Sequence, residues 1–457
     1  MRQLSAIIRS NIRPGRAGLT RRRVGRQAPA MSHPDSVSAA PTRARLWVIV
    51  FAVTLAVIQY VDRVCISQAA PQVSATLGLD KEQMGWVFSA FTLAYALFEI
   101  PTGYWGDRRG PRNVLLRVVL WWSFFTAATG MVWNWASLVV TRFLFGAGEA
   151  GCFPNLTKAF ERWLPVRERI RAQGVMWMSA RWGGAVTPYL VFLVLGLVNW
   201  RVAFGLFALL GVVWALAFAR WFRDDPRTHP AVNAAEAALL PEPRAGVGGH
   251  ANVPWSKLLR SPSVWMLCGQ YFACSYAWYF YITWFPTYLL EVHKFNVKSS
   301  ALLAGLPLLA GGIGCLLTGA LAPRVAARIG VARTRRWFGA AGFCGAAASL
   351  VLATQLQQPL FAVAAIAFAS FCNDLTIPGA WTSCMDVGGP CVGTLGGAMN
   401  MVGNIGGFLS PIVLGYVVGR TGDWNLTFYL TAVVYVGGAL CWWFLDPVTP
   451  LEEQVQD

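Results

Sequence analysis

The chain has 457 residues, of which 56% are hydrophobic and 13% are charged. Soluble domains carry roughly a quarter charged residues, so this composition excludes an ordinary soluble protein and indicates a chain whose solvent is lipid. The formal net charge of +17 could suggest nucleic-acid binding, but the charges gather in loops and in the N-terminal tail, so we expect no nucleic-acid partner.

The chain opens with a basic tail, predicted for residues 1–45. Residues 1–34 contain no acidic residue and many arginines, a composition that resembles an organellar transit peptide. Two other interpretations are open, an over-extended start with Met31 as the initiator or a disordered tail, and we favour these two. The tail lacks the apolar segment of a secretory signal, so we expect the first membrane helix to supply targeting.

Twelve apolar stretches follow the tail. A membrane crossing needs about 20 apolar residues in a row, because each backbone group must be hydrogen-bonded within its own helix. The sequence therefore predicts an all-α membrane protein with twelve transmembrane helices. The predicted helices lie near residues 46–69, 83–106, 113–133, 136–158, 172–197, 201–222, 263–290, 300–322, 336–354, 359–383, 392–419 and 425–445.

Recurring features indicate that these helices form two related six-helix bundles. Parallel repeats of this kind place a substrate site between the two halves, near the midplane of the bilayer. The features that recur at similar offsets are Gly103 with Arg108 and Gly319 with Arg324, Trp200 with Phe204 and Trp424 with Phe428, and Asp225-Pro226 and Asp446-Pro447.

The distribution of basic residues predicts the orientation and the domains. Lys and Arg total 38, and they are concentrated in the tail and in the loops after predicted helices 2, 4, 6 and 8. The positive-inside rule therefore places both termini in the cytoplasm. The predicted parts are an N-terminal bundle at 46–222, a cytoplasmic linker at 223–260, a C-terminal bundle at 261–446 and a cytoplasmic tail at 447–457.

The reactive residues argue against an enzyme or a metalloprotein. The 10 cysteines lie mostly inside apolar stretches and form no CxxC or Cys/His pair with metal-ligand spacing. The four histidines all lie in tails or loops. No nucleotide-binding loop, HExxH motif or convincing nucleophile elbow occurs. We therefore predict no enzymatic activity, no metal and no cofactor.

One loop carries a recognisable signature. The stretch Gly103-Tyr-Trp-Gly-Asp107-Arg108-Arg109-Gly110-Pro-Arg112 follows predicted helix 2 and resembles the GxxxDRxGRR motif of the major facilitator superfamily. The resemblance implies the major facilitator fold. It also implies that Gly103, Asp107, Arg108, Gly110 and Arg112 form a conformational latch. The alternative is a charged turn that only sets orientation.

A narrower resemblance is to the anion:cation symporters, which include bacterial permeases for galactonate and hexuronates. It implies proton-coupled symport of a small organic anion, such as a sugar acid, by alternating access in a bacterial inner membrane. The stretches that carry it are Tyr60-Val-Asp62-Arg63, Arg142 with Glu149-Ala-Gly-Cys-Phe-Pro154-Asn155, Trp284-Phe-Pro286-Thr-Tyr288-Leu289 and Asn400-Met-Val-Gly403-Asn404.

Three arginines, Arg63, Arg142 and Arg181, lie inside predicted helices rather than in the loops or among the basic residues that flank them. A charge at bilayer depth costs at least about 2.5–3.5 kcal/mol on insertion scales, so these residues must face a wet cavity or paired carboxylates. A guanidinium binds a carboxylate through two parallel hydrogen bonds and stays charged at any working pH. Such cations beside a polar cavity favour an anionic substrate.

The predicted helices also contain candidate partners and proton carriers. Arg142 precedes Glu149 by about two helical turns, so both lie on one face. Burial disfavours a charged carboxylate and a nearby guanidinium favours it, so a change of surroundings can load and release a proton. We expect Arg63 to hold the substrate carboxylate, Asp62 and Glu149 to carry coupling protons, and Arg142 to compete for Glu149. The alternatives are a static Arg142–Glu149 ion pair and an Asp62 that merely neutralises Arg63.

The resemblance to sugar-acid permeases extends to polar and aromatic residues. Donors and acceptors of this kind suit a hydroxylated ligand. The aromatic run 278–281 could stack on a sugar or simply pack. Tyr60 could share the face of Arg63, Tyr95 and Asn400 match substrate contacts, and Trp381, Ser383 and Asn404 are expected neighbours.

Three charged residues depart from the pattern or have no assigned role. Arg181 stands where these permeases usually have a neutral polar residue, and it could either favour a dianionic substrate or neutralise Glu99 or Glu149. For Glu99 we expect a gating salt bridge. Asp374 is unassigned, with a partnership to loop arginines as one interpretation.

Two other functions stay open. The first is export of an anion or a drug, or uptake driven by the membrane potential. Three buried arginines argue against the apolar pocket of a drug exporter. The second is a non-transporting sensor on the same fold, which would not need matched arginines and carboxylates. We expect a monomer whose partners are the anion, protons and the lipid bilayer.

Overall fold

The computed structural model describes residues 40–241 and 254–454. The predictions for residues 1–39 and for the middle of the linker lie outside this part of the chain. The first half contains α1 (Ala44–Leu77), α2 (Lys81–Arg109), α3 (Pro111–Thr129), α4 (Trp135–Glu149), α5 (Cys152–Trp163), α6 (Val166–Leu197) and α7 (Trp200–Trp221). The linker contributes α8 (Ala234–Ala237) and α9 (Trp255–Arg260).

The second half repeats the pattern with long helices and short breaks. It contains α10 (Pro262–Thr283), α11 (Phe285–Glu291), α12 (Val297–Leu303), α13 (Leu306–Ile329), α14 (Val331–Gln355), α15 (Pro359–Asp374), α16 (Ile377–Gly388), α17 (Val392–Thr421) and α18 (Trp424–Phe444), followed by α19 (Leu451–Gln454). Within the described residues the protein is thus an all-α structure, as predicted.

Local sequence explains where the last helix of each half begins. Trp200 is the first residue of α7 and Trp424 is the first residue of α18. The preceding residues, Asn199 and Asp423, accept hydrogen bonds from backbone N–H groups of the first turn, as N-cap residues do. The two aromatic pairs that recur in the sequence therefore lie at equivalent helix starts of the two halves.

Several predicted single helices are broken, which corrects their description. The segment 136–158 divides into α4 and α5 at Gly151, whose φ is +80°, a conformation that favours glycine. The segment 263–290 divides at Trp284, immediately before the Phe285-Pro286 start of α11. The segment 359–383 divides between α15 and α16. These breaks free backbone groups and re-aim side chains near the middle of the protein.

Nine segments of the described chain are long and apolar enough to cross a membrane. One of them, Pro359–Thr421, has 63 residues and contains three helices. Each predicted crossing coincides with a helix or with a pair of helices. The segments α3 and α10 are not among the nine. Twelve crossings therefore stays a prediction.

The outer faces of the helices are apolar. Phe124, Phe192 and Phe444 are 66%, 69% and 71% exposed. Soluble proteins rarely expose such residues over large contiguous areas, so this surface suits lipid. The chain is an integral membrane protein.

The two halves meet along two helix crossings at which glycines permit close approach. On α2, a Cβ added to Gly103 would lie 2.1 Å from the carbonyl oxygen of Gly393 on α17. On α6, a Cβ added to Gly174 would lie 2.6 Å from the carbonyl oxygen of Cys315 and 3.0 Å from the Cα of Gly319 on α13. Gly103 and Gly319 are the recurring glycines of the sequence, so the repeat reappears as two equivalent crossings.

Candidate functional site

A cavity lies between the halves. Its walls come from α1, α2, α5 and α6 of the first half and from α10 and α17 of the second. Among the described side chains that line it, two are guanidiniums and none is a carboxylate. The predicted site residues that line it are Tyr60, Arg63, Tyr95, Arg181, Asn400 and Asn404.

Other lining residues were not singled out by the sequence. Trp278 and Tyr279 belong to the aromatic run that was left open between stacking and packing, and both border the cavity. Phe153 belongs to the quoted stretch between Glu149 and Asn155 but was given no role in binding. The remaining lining residues carried no motif, and only their position in space identifies them. They are Trp177, Tyr271, Cys274 and Ser275.

An aromatic layer lies against the cavity. Phe153 stacks on Trp177 with ring centroids 4.4 Å apart, and Trp177 packs at 5.7 Å against Trp381 of the second half. Trp381 donates its indole N–H to the hydroxyl of Tyr271 at 3.1 Å. Trp381 is fully buried and does not line the cavity. It therefore supports the lining residues from behind, rather than bordering the cavity as expected.

Ser383 also lies away from the cavity. Its hydroxyl donates to the carbonyl oxygen of Gly379, one turn earlier in α16, at 2.8 Å. The side chain is fully buried. The structure therefore does not bring Ser383 together with the other predicted binding residues.

The first charged pair joins Arg63 to Glu149. Arg63 donates to the Glu149 Oε1 from Nη2 at 2.6 Å and from Nε at 2.9 Å. Gln59, one turn earlier in α1, donates to the same oxygen at 2.7 Å. The other oxygen, Oε2, is buried and has no hydrogen-bond partner among the described residues. Glu149 is thus held at one oxygen, beside the cavity.

This pairing corrects two interpretations of the sequence. Arg142 forms no ion pair with Glu149, and Asp62 does not neutralise Arg63. Asp62 and Arg63 are adjacent in α1, so their side chains point about 100° apart around the helix. Asp62 instead accepts the indole N–H of Trp122 at 3.0 Å.

Arg142 lies in a ring-lined environment away from the cavity wall. Its guanidinium carbon is 4.2 Å from the ring centroid of Phe145 and 5.3 Å from that of Phe91. Its Nε and Nη1 atoms are buried without hydrogen-bond partners among the described residues. The Oδ1 atom of Asp62 is likewise unpartnered within that part of the chain. Such orphan groups are rare in native structures, so Arg142 and Asp62 form a polar region that packing alone does not explain.

The second charged pair joins the two halves. Arg181 of α6 donates to Asp374 of α15 through two hydrogen bonds, Nε to Oδ2 at 2.6 Å and Nη2 to Oδ1 at 3.1 Å. The guanidinium carbon lies 4.7 Å from the ring centroid of Trp278. The proposed pairing of Arg181 with Glu99 or Glu149 is wrong, and so is the pairing of Asp374 with loop arginines. The partners lie in different halves, and sequence spacing carries no such information.

Glu99 forms a different contact from the expected salt bridge. Its Oε1 accepts a hydrogen bond from the Asn400 side-chain amide at 2.6 Å, and no arginine or lysine pairs with it in the described chain. Glu99 is on α2 and Asn400 is on α17, so this bond also links the halves. Asn400 lies 3.4 Å from the Tyr95 hydroxyl and borders the cavity, so Glu99 fixes the orientation of a lining amide.

The loop signature lies at one end of the protein, which we term the basic end. At this end α2 and α16 finish, and α6, α14 and α17 begin. Asp107 accepts hydrogen bonds from the backbone N–H of Gly393 at 2.9 Å and from the N–H and hydroxyl of Thr394 at 2.6 Å each. Lys158 also donates to Asp107. A carboxylate at a helix N-terminus satisfies its free N–H groups and its dipole.

The other residues of the signature act within the first half. Arg108 is exposed and lies over the ring of Tyr104, 5.1 Å from its centroid. Gly110 has a φ of +82° and connects α2 to α3. Arg112 donates to the carbonyl oxygens of Phe222 at 2.9 Å and Ala219 at 2.5 Å. Of the five predicted latch residues, Gly103 and Asp107 are therefore the two that contact the described second half.

A further link at the basic end was missed by the sequence. Asp386 at the end of α16 accepts a hydrogen bond from Arg169 of the first half at 3.4 Å and one from Arg335 of the second half at 2.5 Å. Lys158 donates to the carbonyl oxygen of Pro390 at 2.9 Å. The halves are thus held together by charge at the basic end.

A helical bundle in two repeated halves, with a cavity between them that carries two cations, defines a membrane transporter. The family model described as Major Facilitator Superfamily matches residues 52–411, and the chain belongs to that superfamily. Its members are transporters and not enzymes.

Curated relatives match over most of their length. The chain is 37% identical to the probable sulfoacetate transporter SauU of Cupriavidus necator, covering 86% of this chain and 92% of the relative. It is 29% identical to the hexuronate transporter of Bacillus subtilis, covering 87% and 93%. Among solved structures, a variant of the fucose:proton symporter FucP of Escherichia coli matches with a TM-score of 0.68 and 14% identity, covering 91% of this chain and 100% of that one. The last likeness shows the fold alone.

Proposed function

We propose that this protein is a secondary active transporter that carries a small organic anion together with protons by alternating access. The observation that carries the proposal is the Arg63–Glu149 pair. Arg63 lines the cavity. Glu149 does not line it, and accepts hydrogen bonds from Arg63 through a single carboxylate oxygen. A substrate carboxylate that enters the cavity competes with Glu149 for the same guanidinium.

Competition for Arg63 couples the anion to a proton. When the substrate takes the guanidinium, Glu149 keeps only the Gln59 amide, and a buried carboxylate without a cation is costly. Taking up a proton removes that cost, since burial disfavours the charged form. Asp62 has one donor, Trp122, and lies in the same polar region as Arg142, so we assign it the second coupling site.

Polar groups around the cavity favour a hydroxylated acid. The hydroxyls of Tyr60 and Tyr95 and the amides of Asn400 and Asn404 border the same space as Arg63. Groups of this kind pair with sugar hydroxyls, while Arg63 binds the acid group. Relatives named for sulfoacetate and hexuronate transport support a small organic acid, and the hydroxyl-binding groups favour a sugar acid.

The contacts at the basic end supply the conformational latch. We assign the basic end to the cytoplasm of a bacterial inner membrane, with both termini on that side. Opening the cavity to that side requires Asp107 to leave Gly393 and Thr394, and Asp386 to leave Arg169. Gly103 permits the close approach in the closed state, while Gly110 and Arg112 fix the geometry of the loop that presents Asp107 and Arg108.

A proton-flux assay in proteoliposomes tests the proposal. Purified protein is reconstituted in sealed vesicles and exposed to galactonate, glucuronate, galacturonate, glucarate, glutamate, lactate or phosphate. We expect acidification of the lumen with one or a few of the organic acids and none with phosphate. Anion uptake without proton movement would refute the coupling. Movement of the anion only out of preloaded vesicles, and not into empty ones, would indicate an exporter. No flux with any acid in correctly oriented vesicles would contradict transport of this class and favour a sensor.

A further inference from the structure

We infer that the cavity binds a dianion, a short molecule with two acid groups, one held by Arg63 and the other by Arg181. The inference rests on the proposed function, because it names the ligand class of the same cavity. A molecule with a single acid group uses only half of the charge that the cavity presents.

Both guanidiniums lie near one tyrosine of the cavity wall, Tyr60. The guanidinium carbon of Arg63 is 5.7 Å from the ring centroid of Tyr60, and Nη1 of Arg181 is 3.5 Å from the hydroxyl of the same residue. Arg63 and Arg181 both line the cavity. A ligand that lies beside Tyr60 in the cavity is therefore close to both cations.

Each of the two arginines forms an ion pair with a carboxylate that does not line the cavity. Glu149 holds Arg63 and Asp374 holds Arg181, and both acids are fully buried. Two acid groups of a ligand can replace these two carboxylates one for one. A monoanion replaces only Glu149 and leaves Arg181 bound to Asp374. The arrangement of cations and acids therefore matches a ligand charge of minus two.

The Arg181–Asp374 pair also joins the halves, whereas Arg63 and Arg181 belong to the same half. A dianion bound to both arginines would take Arg181 from Asp374 and remove this link between the halves. Asp374 would keep the side-chain amide of Asn373, which donates to it at 2.8 Å. A monoanion would leave the link intact. The second acid group therefore has two roles. It is recognised by Arg181, and it breaks the Arg181–Asp374 ion pair so that the two halves can move apart.

Matched acids separate this inference from general anion transport. Uptake is measured for glucarate against gluconate, and for sulfoacetate against acetate, each pair differing in the second acid group. We expect the wild type to prefer the dianion of at least one pair. In Arg181→Gln the ratio of dianion to monoanion uptake should fall at least about tenfold, which is the loss of one charge-assisted contact. In Asp374→Asn, which removes the competing carboxylate, the ratio should stay or rise.

Arg220→Gln is the matched control, because Arg220 is exposed at the end of α7 and lies outside the cavity. It should leave the ratio unchanged. If Arg181→Gln lowers uptake of the dianion and of the monoanion equally, and Asp374→Asn does the same, the pair only packs the helices. If Arg181→Gln does not fold, the Arg181→Gln/Asp374→Asn double variant removes both charges and should show the same fall in ratio. A wild type that moves both members equally overturns the inference alone, whereas one that moves no acid overturns the proposed function.

Discussion

Asp107 and Thr394 are joined by two hydrogen bonds, from the backbone N–H and from the hydroxyl of Thr394, each 2.6 Å long. A carboxylate at the end of α2 in one half thus caps the start of α17 in the other. The same carboxylate accepts hydrogen bonds from Gly393 and Lys158. A single side chain therefore holds Gly393, Thr394 and Lys158 together where the basic end is closed.

Asp107→Asn should weaken the closed basic end. Hydrogen bonds to charged groups contribute about 1.5–3 kcal/mol, so the open state should gain population by roughly tenfold or more. The buried Cys391, at the N-cap of α17, should then react faster with a membrane-permeant maleimide, as read at that residue by mass spectrometry. Arg108→Gln, at an exposed neighbour without a contact to the described second half, is the control. Equal labelling in both variants would contradict the role of Asp107.

Glu149→Gln should separate proton coupling from substrate exchange. The amide cannot carry a proton on and off, so uptake driven by a pH gradient should be lost while exchange of labelled for unlabelled substrate continues. The measurement is both assays on the same proteoliposomes. Glu291→Gln, at an exposed carboxylate at the end of α11, should behave as wild type. Undiminished pH-driven uptake in Glu149→Gln would refute the assignment of the coupling proton.

Alanine at the two recurring glycines should have unequal effects. A Cβ at Gly103 would lie 2.1 Å from a backbone oxygen of Gly393, whereas one at Gly319 would meet its nearest atoms at 3.3 Å. Overpacking against a backbone that cannot yield costs about 1–3 kcal/mol. Gly103→Ala should therefore lower both the Tm in detergent and the uptake rate more than Gly319→Ala does. Gly196→Ala has open space around it and serves as control, and the reverse order would show that the α2–α17 crossing is not tightly fitted.

Glu236→Gln should lower stability in a pH-dependent way. Glu236 of α8 caps α1 by accepting hydrogen bonds from the backbone N–H groups of Ala44 and Arg45, at 3.1 Å each, and from the Thr42 hydroxyl. Burial raises its pKa, but these hydrogen bonds outweigh burial and hold the pKa below its usual value. The carboxylate therefore stabilises the fold at pH values above the usual pKa of a glutamate. This contribution is lost as the pH falls through the lowered pKa of the folded state.

Loss of a cap costs about 0.5–2 kcal/mol, so the Tm of Glu236→Gln should be below that of wild type at pH 7. The difference should shrink as the pH is lowered through the pKa of the folded state. Glu453→Gln, at an exposed carboxylate of α19, is the control. A Tm difference that stays constant with pH would show that charge at this cap is unimportant.

The elements and the charged residues within them were predictable from the sequence. Apolar stretches and recurring pairs predicted the segments and the two halves. Arg63 and Arg181 were recognised because a charge in an apolar helix is costly wherever it lies. These features are local, so spacing along the chain was sufficient to find them.

Sequence reasoning did not find which charges meet. Arg142 and Glu149 share a helix face, yet Glu149 is paired with Arg63 of another helix and Arg142 is packed on aromatic rings. Asp374 finds Arg181 in the opposite half. Such contacts depend on how helices cross and where α4 breaks at Gly151, which periodicity within one helix does not encode.

The two glycine crossings give the molecule the geometry of a symmetric dimer whose subunits have been fused. In a true twofold homodimer the patch around Gly103 on each copy would meet the patch around Gly393 on the other, and both contacts would have to be identical. Fusion into one chain removes that requirement. The Asp107 carboxylate can therefore cap only one of the two crossings, and Arg63, Arg142 and Arg181 can all belong to one half. The two halves can in this way differ from each other as the subunits of a twofold homodimer cannot.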